Sequence, residues 1–265
     1  MRILKKASLF AVSVVILLLF AGYSMQKKLI FLPTQLPDDY SYNFDLPFEE
    51  FFIDSEDGAR LNALHFKVQH PKGVIIYFHG NAGDLSRWGE ISSFFTRFDY
   101  EVVVMDYRTY GKSTGKISED ALYKDAQLFY DYASKHFSGD NIIIYGRSLG
   151  TALATYVASR NKVKKLILET PFYNLTDAAK YRIPYLPVRY LLKYKFPSNL
   201  LIQQVSAPVA IFHGMKDSVV PYSSGKKLSK LVPEERLTFV TIPEGDHNDL
   251  VNFDVYRKGI ETLLK

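Results

Sequence analysis

A chain of 265 residues, 47% apolar and 23% charged, with a net charge of +5, has the length and composition of one globular domain with a sizeable core. The excess of base is too slight to argue for nucleic acid, since no basic cluster is interleaved with base-stacking aromatics. The absence of cysteine excludes disulfides, thiol catalysis, cysteine-held metal and a lipoprotein's lipid anchor on cysteine, and no metal or other cofactor is expected.

Arg2, Lys5 and Lys6 precede Ala7–Met25, a stretch without charge, and Lys27 and Lys28 close it. As a helix it would span roughly 28 Å, close to the hydrocarbon thickness of a bilayer. Residues 1–28 therefore read as one transmembrane helix anchoring the protein to a membrane. A cleaved signal peptide is the competing reading, because Gly22 and Ser24 put small residues where a signal peptidase would inspect them. More basic groups before the segment than after it favour a cytoplasmic N-terminus, with the globular part on the non-cytoplasmic side. Residues 29–47, with Pro33, Pro37 and Pro47, read as an extended linker, and 48–265 as the folded domain.

Phe48–Asp54 and Leu61–Val68 are strand-like runs around Asp57-Gly58, a hairpin signal. Gly73–His79 is an apolar strand, Ser86–Phe98 a helix, Val102–Asp106 a strand, Ser118–Phe137 a helix and Asn141–Tyr145 a strand, with a helix at Leu149–Arg160. Lys164–Glu169, Pro208–His213 and Leu237–Ile242 complete the strands, with helices at Ser223–Leu231 and Asp249–Leu264. The alternation predicts an α/β fold: a mostly parallel sheet with helices on both faces, begun by an N-terminal antiparallel hairpin. Tyr173–Ser206 interrupts it. This stretch is basic and tyrosine-rich, and its length without a strand suggests a short cap insertion.

Ser148 lies in Gly146-Arg147-Ser148-Leu149-Gly150, on the turn between an isoleucine-rich strand and a helix. That is the context of the nucleophile elbow of α/β-hydrolases. A serine hydroxyl needs an imidazole to take its proton, and the imidazole needs a carboxylate to hold its tautomer. His247, on the loop after the last strand, stands in the expected chain order. His79 and His213 end strands before glycine and read as shaping those ends, while His65, His70 and His136 lie in surface-like contexts. Asp217 follows the strand Pro208–His213 and is preferred as the acid over Glu169; Asp246 reads as a turn residue. For the oxyanion, the N–H of Leu149 and one from the loop His79-Gly80-Asn81-Ala82-Gly83, best Asn81 with Ala82 close behind, are expected to point at the developing charge. Asp106, Arg108 and Arg147 read as ion pairs that fix loops.

The segments around Asn81, Asp106–Gly115, Ser148, Asp217 and His247 together resemble the membrane-anchored α/β-hydrolases of the serine-aminopeptidase-like superfamily. The nearest branch is the alpha/beta-hydrolase-domain-containing proteins, whose eukaryotic members include protein depalmitoylases. The resemblance covers Leu29–Leu264 and implies the triad Ser148, Asp217 and His247, the positions reached above. Thr109 departs from it, standing where the family usually has glycine. The expected function is a serine hydrolase that cleaves an acyl ester or thioester through an acyl-enzyme. The alternatives are a non-catalytic binding protein of the same fold, an acyltransferase and a peptidase.

Overall fold

A computed structural model describes Phe10, Gly22, Tyr23 and residues 25–265. The anchor or signal expected over residues 1–28 lies largely outside these. Among the described residues no helix is long and apolar enough to cross a membrane.

The strands are β1 (Leu32–Pro33), β2 (Phe48–Asp54), β3 (Arg60–Phe66), β4 (Gly73–Phe78), β5 (Ala82–Gly83), β6 (Tyr100–Met105), β7 (Ile142–Arg147), β8 (Lys165–Glu169), β9 (Val209–Gly214) and β10 (Leu237–Ile242). One eight-stranded sheet has the order β10-β9-β8-β7-β4-β6-β3-β2, and β1 pairs with β5 apart from it. Within the large sheet only β3 runs antiparallel to its neighbours. The helices are α1 (Leu85–Ser93), α2 (Glu119–Ser134), α3 (Gly150–Arg160), α4 (Leu175–Arg182), α5 (Val188–Leu191), α6 (Ser198–Leu201), α7 (Tyr222–Ser229) and α8 (Asp254–Leu264).

Alternation along the central strands divides the core into two layers. Ile142 and Ile144 of β7 join Leu122, Phe129, Leu153 and Val157 of α2 and α3 on one face. Ile143 and Tyr145 point the other way, toward Trp88 of α1 and Tyr256 and Ile260 of α8. Each such large side chain contributes about 1.5–3 kcal/mol by leaving water, so the isoleucine-rich strand is held from both sides. Helix starts are set locally: Asp84, Ser118 and Asn174 accept hydrogen bonds from the N–H groups of Ser86, Ala121 and Asp177 at the entries of α1, α2 and α4.

Three expectations are corrected. The single helix expected over Ser86–Phe98 ends at Ser93 and tightens into a 3₁₀ turn, Phe94–Phe98, which seats Phe95 against Tyr145. The helix expected from Asp249 begins at Asp254, because the chain before it is occupied by loop hydrogen bonds such as Asp246 N–H to Asp249 Oδ1. His65, expected near the surface, is 1% exposed, bonded to Tyr132 and Glu101. Burial pushes its pKa down to about 3.

Leu29 and Ile30 end a helical turn, so only residues 31–47 of the expected linker run along the domain without a helix. Thr34 donates to the Gly83 carbonyl and Gly111 to that of Thr34, at 3.0 and 2.8 Å. Residues 173–206 form no strand and carry α4, α5 and α6. Glu119 of α2 accepts from the N–H groups of Lys195 and Phe196, and Asp177 of α4 from Ser224 and Lys227. Gln26 closes the other side, donating to the Leu191 carbonyl and accepting from Lys193 N–H, both at 2.7 Å.

Candidate active site

The loops that follow β4, β7, β9 and β10 meet at the C-terminal ends of their strands, where open α/β sheets place functional groups. Ser148 follows β7 with φ at 51°, in the left-handed region. Its N–H donates to the Glu169 carbonyl of the neighbouring strand at 2.9 Å, so the strained turn is tied to the sheet. The flanking glycines are steric necessities: a Cβ on Gly146 would lie 2.5 Å from the Gly150 carbonyl oxygen, and one on Gly150 would lie 2.0 Å from that of Phe78.

His247 Nε2 is 2.9 Å from Ser148 Oγ, and its Nδ1 is 2.8 and 3.0 Å from the Asp217 carboxylate oxygens. The three side chains thus form one hydrogen-bonded chain, all nearly buried. Asp217 Oδ1 also accepts from the N–H groups of Val219 and Val220. Its Oδ2 lies 3.3 Å from His213 Nε2, which donates to the Val220 carbonyl at 3.0 Å. Burial raises the Asp217 carboxyl pKa, but hydrogen bonds from His213 and His247, the His247 charge and the backbone outweigh it and hold the group well below the usual carboxylate range. Asp246 joins the two loops, accepting from His247 N–H and Ser218 N–H at 2.7 Å.

Glu169, the rival acid, is engaged elsewhere. It meets Arg147 Nε at 3.2 Å and accepts from the hydroxyls of Tyr145 and Tyr256 beneath the elbow. Asp106 and Arg108 are buried in the neighbouring loop, Asp106 facing His79 at 3.4 Å and Arg108 paired with buried Asp125 and with exposed Asp57. Thr109, directly after Arg108, has φ at 72°, with its buried hydroxyl unpartnered. A β-branched residue there is strained, which accounts for glycine being usual at this place.

The loop after β4 lies beside the serine: a Cβ on Gly80 would come within 3.8 Å of the Ser148 Cβ. Asn81 turns its side chain away, donating to the Ile30 carbonyl at 3.1 Å, while its own carbonyl accepts from Leu32 N–H and the Tyr110 hydroxyl. The N–H groups of Asn81 and Leu149 donate to no acceptor among the described residues.

Two clefts meet at Ser148. An apolar one of about 240 Å³ is bounded by Leu29, Ile30, Leu149, Phe172, Leu175 and Ala178, among others. A smaller one of about 150 Å³ lies on the His247 side, lined by Arg87, Trp88, Arg147, Val219 and Asn248. The sequence carried no signal for Leu29, Ile30, Arg87, Trp88 or Asn248 as site residues: each is ordinary in its own segment, and only the fold brings it to the serine. Among the described residues no cluster of His, Asp and Glu could hold a metal ion.

Comparisons with known proteins agree with this architecture. The family profile of serine aminopeptidase, S33, matches residues 69–201, half of the chain. An uncharacterized membrane protein of Saccharomyces cerevisiae is 31% identical over 227 residues, 83% of this chain and 80% of that protein. The lysophosphatidylserine lipase ABHD12 of Danio rerio is 29% identical over 265 residues, 80% of this chain and 68% of that one. Among solved structures, the Pyrococcus furiosus esterase Pf2001 superposes with a TM-score of 0.70 at 16% identity, covering 88% of this chain and 96% of its own, a likeness of fold. The chain belongs to the serine aminopeptidase, S33, family of α/β-hydrolases, in the branch of alpha/beta-hydrolase-domain-containing proteins, and is a hydrolase.

Proposed function

We propose that the protein is a serine hydrolase that cleaves an acyl ester or thioester through a Ser-His-Asp triad. Ser148 Oγ attacks the carbonyl carbon as His247 Nε2 takes its proton. The resulting oxyanion accepts from the N–H groups of Leu149 and Asn81, each such donor being worth roughly 2.7–4 kcal/mol in the transition state. His247 returns the proton to the leaving oxygen or sulfur, and a water activated by the same imidazole then releases the acyl group from Ser148. Asp217 holds the Nδ1 proton and stabilises the imidazolium.

The observation that carries this reading is the unbroken chain from Asp217 through His247 to Ser148 Oγ, with contacts of 2.8 and 2.9 Å. The apolar cleft beginning at the serine suits an acyl chain, and the name of the zebrafish relative, a lipase, points the same way. We place the protein at a membrane, held by residues 1–28 with the hydrolase domain on the non-cytoplasmic side. The distribution of Lys and Arg around Ala7–Met25 supports this, as does a yeast relative named as a membrane protein.

The test is labelling of the detergent-solubilised full chain with a fluorophosphonate, beside Ser148→Ala and His247→Ala. Labelling that is lost in both variants is expected. A folded wild-type protein that does not label, or a Ser148→Ala variant that does, would overturn the mechanism.

A further inference from the structure

The two clefts at Ser148 differ in chemistry, and the proposed triad fixes which part of a substrate each receives. In acylation the Ser148 Oγ–carbon bond forms, the bond from that carbon to the leaving oxygen breaks, and the leaving oxygen takes the proton that His247 removed from Ser148. The leaving group must therefore lie against His247. Only the smaller cleft has His247 in its wall; the larger is bounded mostly by apolar side chains, with Arg182 turned to the Ser218 and Val219 carbonyls, and lacks it. The acyl chain belongs in the larger cleft and the leaving group in the smaller.

The smaller cleft is cationic. Its charged lining is Arg87 and Arg147, with no carboxylate. Arg147 is buried and matched by Glu169 at 3.2 Å; its Nη2 lies 3.4 Å from the His247 carbonyl and 3.3 Å from Asn248 Oδ1. Arg87 is exposed and has no acidic group within 4 Å among the described residues. Both guanidinium carbons lie near the Trp88 ring, at 5.1 Å for Arg87 and 5.5 Å for Arg147. The indole is pinned by its N–H to the Ala82 carbonyl at 2.7 Å. Two like charges gathered on one fixed ring, with a carboxylate for only one of them, leave a net positive site that a bound anion would complete.

We propose that the leaving group of the substrate carries an anion, a phosphate or a carboxylate, received by Arg87 beside Arg147 while the acyl chain occupies the cleft behind Leu29 and Leu149. The substrate class is an acyl ester of a small anionic alcohol. Arg87 is the specificity-determining residue, and Trp88 sets the position of its charge. This assignment rests on the serine-hydrolase reading above.

Matched octanoyl esters test it on the detergent-solubilised full chain: 1-octanoylglycerol, 1-octanoylglycerol 3-phosphate and 3-octanoylglycerate, assayed below their aggregation limits. The expected result is a kcat/KM about tenfold or more higher for one or both anionic esters than for the neutral one. The ratio should fall by about that factor in Arg87→Gln and survive in Arg97→Gln, a control whose guanidinium sits over Phe94 away from the site. Preference for the phosphate ester alone, for the carboxylate alone or for both identifies the anion. Equal rates on charged and neutral esters, abolished by Ser148→Ala, would overturn the anion site and leave the hydrolase standing. A ratio unaltered by Arg87→Gln would overturn the role of Arg87. Failure to cleave all three esters and to label with a fluorophosphonate would remove the serine-hydrolase reading on which the assignment rests.

Discussion

The floor and the roof of the site are built differently. On the floor, Ser148, Asp217 and His247 are no more than 9% exposed and stand on loops held by parallel strands. In the roof, Tyr181, Tyr185 and Tyr190 are 66%, 97% and 82% exposed, and polar clamps from Gln26, Glu119 and Asp177 secure the chain. Buried apolar contact gives the floor its rigidity, and the scarcity of it leaves the roof at the low-stability end of the molecule. On the proposed mechanism, chemistry that needs atoms held within half an ångström would sit on the first, and accommodation of differing acyl chains would fall to the second.

The largest effects should come from the floor. Ser148→Ala is expected to lower kcat by about 10⁶-fold and Asp217→Asn by about 10⁴-fold, measured on a short-chain ester with circular dichroism confirming the fold. Glu169→Gln should act chiefly on stability, since it strips the partners of Arg147, Tyr145 and Tyr256; a loss of kcat equal to that of Asp217→Asn would reverse the assignment of the acid.

The ionisation of the floor sharpens the contrast. Because the Asp217 pKa is depressed, its carboxyl loses its proton at lower pH than a free aspartate, and above about pH 4 it stays ionised. The Asp217 carboxyl should therefore take no part in any fall of activity above about pH 4. The acid limb of log kcat/KM against pH is expected to have a slope of about one, and a slope of two above pH 4 would show the carboxyl titrating as well.

Roof variants should act on selectivity. Ala178→Trp fills the apolar cleft, and the ratio of octanoyl to acetyl ester turnover should fall roughly tenfold or more. Gln26→Ala removes two hydrogen bonds from the cap. With about 1 kcal/mol lost per bond, amide exchange at Lys193 should quicken at least fivefold while kcat on an acetyl ester stays within twofold. An equal loss on both esters for Ala178→Trp, or a collapse of kcat for Gln26→Ala, would mean that floor and roof are one unit.

The smallest effect lies beside the floor. Thr109→Gly relieves a left-handed backbone at the cost of a more flexible unfolded chain, for a net gain of about 1 kcal/mol and a rise in Tm of about 3 °C. No gain would mean that neighbouring contacts absorb the strain at Thr109.

Much was legible in the residues because it is local. The apolar run Ile142-Ile143-Ile144-Tyr145 demands a strand buried on both faces, Gly146 and Gly150 permit the tight turn at Ser148, and Asp57-Gly58 turns the hairpin. Strands alternating with helices then dictate a mostly parallel sheet, since each crossover must lay a helix on one of its faces. Asp217 and His247 could be picked out because they follow strands whose C-terminal ends such a sheet brings to one edge.

Tertiary structure decided what depends on meetings between distant segments. Leu29 and Ile30, near an expected membrane segment, wall the apolar cleft 118 or more positions before the serine they flank. Glu169 ends β8 and Asp217 follows β9, both places suited to supply the acid, and the difference came from what surrounds each: Tyr145, Tyr256 and Arg147 draw Glu169 beneath the elbow, while the backbone of Val219 and Val220 aims Asp217 at His247. His65 is polar in an unremarkable stretch, yet Tyr132 and Glu101 cover it. Periodicity and turn chemistry act over a few residues and can be read along the chain; burial, cleft shape and the company of a charge arise only when remote segments close on one another.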